Sequence, residues 1–160
     1  MQKMTTKTLV QGAMIAAIYV VLTKLFEPIS FGRENAIQCR VSELLTILPA
    51  FTPAAIPGLF VGCLVGNLLS AAAIVDVIFG SLTTLLAAFG TYLLRKKRPL
   101  AVLPPIVLNG LIVGGYLPAV YGMPIPVWLS MLFVAAGQVI SCGIGGLLLG
   151  YVLDRARIFK

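Results

Sequence analysis

Long apolar runs, each broken by a short polar or proline- and glycine-containing stretch, set the pattern of this chain. A helix that crosses the hydrocarbon of a bilayer needs about 20 mostly apolar residues. The first such run extends from about Thr8 to Phe26. A polar stretch, Glu27 to Gln38, follows with the turn formers Pro28, Gly32 and Asn35. The second run begins near Arg40 and ends near Thr52 and Pro53; it is short, and Pro49 is expected to kink it. The third covers about Ala54 to Ser70, with Pro57 in its first turn, where proline is tolerated. The fourth runs from about Ile74 to Leu94, the fifth from Leu100 to Val120 and the sixth from Val127 to Leu153, with the loop Tyr121 to Pro126 between the last two. The pattern predicts an all-α membrane protein with about six transmembrane helices. It forms one integral membrane domain over residues 1–160, with no soluble domain, linker or internal repeat.

Composition agrees. Of 160 residues 59% are hydrophobic and only 11% charged, against roughly 25% charged in a soluble domain. So much apolar surface needs lipid rather than water as its solvent. The net charge of +7 would suggest nucleic acid in a soluble chain, but here the basic residues cluster between apolar runs, as orientation signals do. Lys3, Lys7, Arg95, Lys96, Lys97, Arg98, Arg155, Arg157 and Lys160 share one side if the N-terminus is cytoplasmic, leaving Lys24, Arg33 and Arg40 for the other. Six spans with both termini cytoplasmic is the expectation, and nucleic acid is not an expected partner. Small-residue cleavage signals are missing after the first run, so that run is expected to remain as a span.

The chemistry of most enzymes is missing. The chain contains no GxxxxGK(S/T) phosphate loop and no histidine, which removes HExxH metal sites and a histidine-dependent hydrolase. Cys39, Cys63 and Cys142 are scattered without metal spacing and read as small buried residues. No metal or cofactor is expected. Transport, binding or scaffolding remain.

Ionisable groups at membrane depth are expensive, about 2.5–3.5 kcal/mol on insertion scales, and call for a reason. Arg40 and Glu43 are three residues apart, which suits either a structural ion pair on one helix face or a ligand contact. Asp76 opens the fourth run, where a carboxylate favours a helix start or faces a ligand. The predicted topology puts all three toward the outer side. Asn67 lies late in the third run, Asn109 near the middle of the fifth with Tyr116 seven residues on, and Gln138 within the sixth ahead of Ser141 and Cys142. Such amides either join helices or bind a ligand. Together with carboxylates, and with Tyr116 or Trp128 for stacking, they would suit a small polar heterocycle; Trp128 also fits an interfacial belt. Ala13 and Ala17, four apart beside Gly12 and Ala16, form a small-residue face that lets another helix approach closely, inside this protein or outside it.

Several blocks, in order along nearly the whole chain, resemble the QueT family. They are Ile37-Gln38-Cys39-Arg40-Val41-Ser42-Glu43-Leu44-Leu45-Thr46-Ile47-Leu48-Pro49, Ala55-Ile56-Pro57-Gly58-Leu59-Phe60-Val61-Gly62-Cys63, Asp76-Val77-Ile78-Phe79-Gly80-Ser81-Leu82, Leu103-Pro104-Pro105-Ile106-Val107-Leu108-Asn109 and Trp128-Leu129-Ser130. The resemblance implies a substrate-binding (S) component of an energy-coupling factor transporter in a bacterial cell membrane. Its partners would be a transmembrane coupling protein, met by an Ala-x-x-x-Ala face that Ala13 and Ala17 match, and two ABC-type ATPases. The implied cargo is a queuosine precursor, a 7-deazaguanine base such as the 7-aminomethyl form. From its chemistry, its cationic arm would suit Glu43 or Asp76, and its base edge Asn67, Asn109 or Gln138. The stretch Gly32 to Ala36 is longer than the loop such proteins carry before this block. The alternatives are an S component for another vitamin-like molecule, a non-transport membrane scaffold and a stand-alone facilitator.

Overall fold

The computed structural model describes residues 5–27, 40–70 and 72–158. The stretch Gly32 to Ala36, the block Ile37 to Cys39, and Lys3 and Lys160 lie outside the described residues. Every element among the described residues is helical. Six helices follow one another: α1 (Thr6–Leu25), α2 (Val41–Ala50), α3 (Ala55–Leu69), α4 (Asp76–Leu93), α5 (Arg98–Tyr121) and α6 (Val127–Ala156).

Four of these, α1, α4, α5 and α6, are long and apolar enough to cross a membrane. The other two fall short of the expected six full spans. Helix α3 has 15 residues, about 22 Å at 1.5 Å per residue. Helix α2 has only ten residues, yet it is wound as a 3-10 helix. That winding rises about 2.0 Å per residue, so ten residues reach about 20 Å instead of about 15 Å. Pro49, expected to kink an α-helix, sits near the end of this tighter coil.

Helix α2 is the centre of the molecule. Ser42, Glu43, Leu45, Thr46, Ile47, Leu48 and Pro49 are buried, and α1, α3, α4, α5 and α6 all pack against it. Leu45 and Leu48 join Ile15, Tyr19, Leu59 and Ala88 in one apolar cluster, while Ile47 meets Ala101 and Val102 in another. The outer faces are covered in exposed Leu, Ile, Val and Phe side chains. In water such a surface would aggregate; in lipid it is the solvated surface.

Backbone proximity holds α1 to α3. Gly58, Gly62 and Gly66 recur every fourth residue and face Gly12, Ala16 and Thr23. A methyl group at Gly58 would lie 2.6 Å from the Gly12 carbonyl oxygen, so only glycine allows this approach. Inside a bilayer, where burial of apolar side chains gives little driving force between helices, such close packing is what joins them. The sequence showed the alanine face of α1 but not this glycine stripe. The two faces of α1 are distinct: Gly12, Ile15, Tyr19 and Thr23 are buried, whereas Ala13 and Ala17 point outward and are exposed.

The helices are also locally irregular. One π-helical turn opens α4 (Asp76–Gly80), another interrupts α5 (Asn109–Val113) and a third interrupts α6 (Val139–Gly145). Each begins at, or directly after, one of the polar residues singled out in the sequence.

The two ends of the bundle differ. At one end Arg98 Nη1 lies 2.5 Å from Asp154 Oδ2, and the Arg98 guanidinium stacks 3.9 Å from the centre of the Phe51 ring. These contacts bring the basic segment Arg95 to Arg98 and the basic end of α6 together. The carboxylates Glu43 and Asp76 belong to the other end.

Gly58→Ala should lower the thermal unfolding midpoint in detergent, because overpacking of this kind costs about 1–3 kcal/mol. Gly143→Ala, where the nearest foreign side-chain atoms would be 3.8 Å away, should not. Equal midpoints for the two variants would show that the α1–α3 contact does not depend on glycine.

Candidate functional site

Arg40, Glu43 and Asp76 are the buried acidic and basic residues among those described. Arg40 immediately precedes α2, with φ −79° and ψ 101°. It therefore lies outside the helix, and the three-residue spacing that would place it over Glu43 does not apply. Its ion pair is with Asp76 instead, at 3.8 Å from Nη2 to Oδ1. Asp76 in turn does not cap its helix through a side-chain hydrogen bond. The Tyr116 hydroxyl donates to its Oδ1 at 2.6 Å, and the Tyr121 hydroxyl donates to its Oδ2. Tyr121 also accepts a bond from the Ala73 amide at 3.3 Å. Asp76 thereby ties the start of α4 to α5 and, through Arg40, to the entry of α2.

Glu43 forms the second node. The Tyr19 hydroxyl of α1 donates to Glu43 Oε1. Thr84 Oγ1 of α4 lies 3.5 Å from the same oxygen and 3.1 Å from the Gly80 carbonyl; a hydroxyl has one proton and serves one of these at a time. Oε2 is buried and has no hydrogen-bond partner among the described residues.

Neutral polar groups connect the nodes. Asn67 Nδ2 donates to the Asp76 carbonyl at 3.0 Å. A methyl group at Gly80 would lie 3.3 Å from Asn67 Nδ2, 3.5 Å from Tyr116 Oη and 3.9 Å from Arg40 Nη1. Three side chains, from α3, α5 and the residue that precedes α2, thus converge over this glycine of α4. On the far side of Glu43, Cys142 Sγ donates to Gln138 Oε1 at 2.8 Å and approaches the Glu43 carbonyl at 3.4 Å. Thr46 Oγ1 donates to that carbonyl at 2.6 Å.

Of the residues expected at a ligand site, Arg40, Glu43, Asn67, Asp76 and Tyr116 therefore meet in one polar cluster, and Gln138 reaches it through Cys142. Two others stand apart. Asn109 Nδ2 bonds the Pro105 carbonyl of its own helix at 2.9 Å. Trp128 is 62% exposed, the position of an interfacial belt residue. Tyr19, Thr84 and Tyr121 were not expected at the site. Tyr19 was findable: Gly12, Ile15, Tyr19 and Thr23 recur at helical spacing on one face of α1, and a hydroxyl on a buried face needs a partner.

Such an arrangement can recognise a small polar molecule. It combines fixed acceptors, amide groups and an aromatic ring in a region shielded from water, where each hydrogen bond discriminates strongly. Tyr116→Phe should lower stability by about 1.5–3 kcal/mol, the contribution of a hydrogen bond to a charged group. Trp128→Phe should leave it nearly unchanged. Thermal unfolding of both variants in detergent checks this, and a wild-type midpoint for Tyr116→Phe would remove Asp76 as the joint between α4 and α5.

Comparison with known proteins agrees with this architecture. The QueT transporter family matches residues 9–155. The curated "Queuosine precursor transporter QueT" of Lactococcus lactis subsp. cremoris (strain MG1363) is 41% identical over 87 residues, 53% of this chain and 49% of that protein. The match thus spans about half the length of that relative. No solved structure matches the chain. With nearly all of its length matched and a bundle of apolar helices, the chain is a multi-pass membrane protein that belongs to the QueT transporter family.

Proposed function

We propose that this protein is the substrate-capture component of an ATP-driven energy-coupling factor importer, taking a queuosine precursor from outside the cell. The observation that carries the reading is a buried polar cluster, built from all six helices, at one end of a bundle otherwise covered in apolar side chains. A membrane scaffold has no use for it, since charges at that depth are penalised. Base-sized ligands fit its chemistry: Asn67 and Gln138 would address the edge of a 7-deazaguanine, Tyr116 its face and a carboxylate its aminomethyl arm.

In this reading energy comes from partners, which fits a chain without a phosphate loop of its own. A coupling protein and two ABC-type ATPases are the proposed partners. Ala13 and Ala17 are their proposed contact: both are exposed on α1, on the side away from the α3 packing face. The charge difference between the ends of the bundle supports an orientation. The end holding Arg98 and the basic end of α6 would face the cytoplasm of a bacterial cell, and the polar cluster the outside.

Ala13→Trp or Ala17→Trp should abolish uptake of the base while leaving its binding intact, since bulk on this face keeps a partner helix away. Normal uptake by the double variant would place the contact elsewhere, and uptake without any ATPase partner would favour a facilitator. Cysteine labelling in intact cells should reach Met123→Cys from outside and Lys96→Cys only from the cytoplasm; the reverse pattern inverts the map.

A further inference from the structure

The two buried carboxylates are not equivalent, and the difference assigns their roles. Resting on the reading above, we propose that Glu43 is the residue that selects a cationic ligand, accepting its ammonium group through Oε2, while Asp76 holds the shape of the site.

Asp76 is already satisfied. Each of its oxygens accepts a tyrosine hydroxyl, and the Arg40 guanidinium provides a countercharge at 3.8 Å. A ligand could engage it only by displacing one of these groups. Glu43 is 1% exposed and has Tyr19 on one oxygen only. Its other oxygen, Oε2, is buried and has no hydrogen-bond partner among the described residues. A bare carboxylate oxygen away from water is among the more costly groups a protein can hold. Because Tyr19 donates to Oε1, Oε2 is the oxygen left to a ligand.

Charge points the same way. Among the described residues, one buried guanidinium serves two buried carboxylates; its ion pair is with Asp76, and its charge also reaches Glu43. A ligand carrying one positive charge neutralises the remainder at Glu43, through a charge-assisted hydrogen bond. A neutral nitrile in the same place offers only an acceptor to an acceptor. The 7-aminomethyl base should therefore be preferred over its 7-cyano analogue, and the preference should reside in one residue.

Calorimetric titration of detergent-purified protein with both bases tests this. In Glu43→Gln, affinity for the aminomethyl base should fall roughly 10- to 150-fold, while affinity for the cyano base should hold or rise, since the amide offers the nitrile a donor. In Asp76→Asn, both affinities should move by the same factor. If Glu43→Gln does not fold, Glu43→Asp carries the test: it keeps the charge but withdraws it by one methylene, so the ratio of the two affinities should shrink. A wild-type ratio in the folded Glu43 variant, or a ratio lost only in Asp76→Asn, overturns the assignment and leaves the cargo reading standing. Wild-type protein that binds neither base overturns both.

Discussion

Charge in a medium that cannot solvate it is the constraint on which this structure depends. Lipid offers no hydrogen bonds, so a carboxylate inside the bundle must find its partners in the protein. Asp76 finds them in Tyr116, Tyr121 and Arg40, and in doing so links α4, α5 and the entry to α2. Glu43 finds one in Tyr19 of α1. The two acids thus act as joints between helices that apolar contact alone would hold weakly. The same groups form the candidate ligand site, so the architecture of this end and its recognition chemistry rest on one set of bonds.

Departures from regular α-helix begin at or next to polar residues of the spans. A π turn accommodates an extra residue and re-aims the side chains around it. The π turns of α4 and α5 begin at Asp76 and Asn109, and that of α6 directly after Gln138. At the centre, the 3-10 winding of α2 stretches ten residues through the bundle while exposing each of its faces to a different neighbour. Irregular backbone at membrane depth is tolerated where protein surrounds it, and α2 is almost wholly buried.

Small residues divide their work between two surfaces. Gly12 and Ala16 meet the glycine stripe of α3 and are used up within the protein. Ala13 and Ala17, one position further round α1, face outward beside Leu9, Met14 and Ile18. The distinction is one of about 100° on a helix, which follows from 3.6 residues per turn, and it separates a packing face from a free one.

The sequence by itself determined the class of protein and the four helices long enough to span. Apolar runs of spanning length and clustered basic residues follow from the solvent the chain meets, and solvent preference is a property of each residue wherever it sits. The same logic exposed Arg40, Glu43, Asp76, Asn67 and Gln138 as anomalies, because a polar side chain in an apolar run needs a reason in any fold. Which anomaly answers which was decided only in three dimensions. Spacing suggested Arg40 with Glu43, but the chain turns at Arg40 before the helix begins, so its guanidinium reaches Asp76 across the bundle. Asn109 looked equivalent to Asn67, yet one bonds its own helix and the other reaches α4. Tyr121, in the sequence a residue of a loop, closes onto Asp76 from 45 positions away. Partners so distant in the chain are chosen by how helices pack, and packing depends on the whole set of side chains rather than on any local pattern.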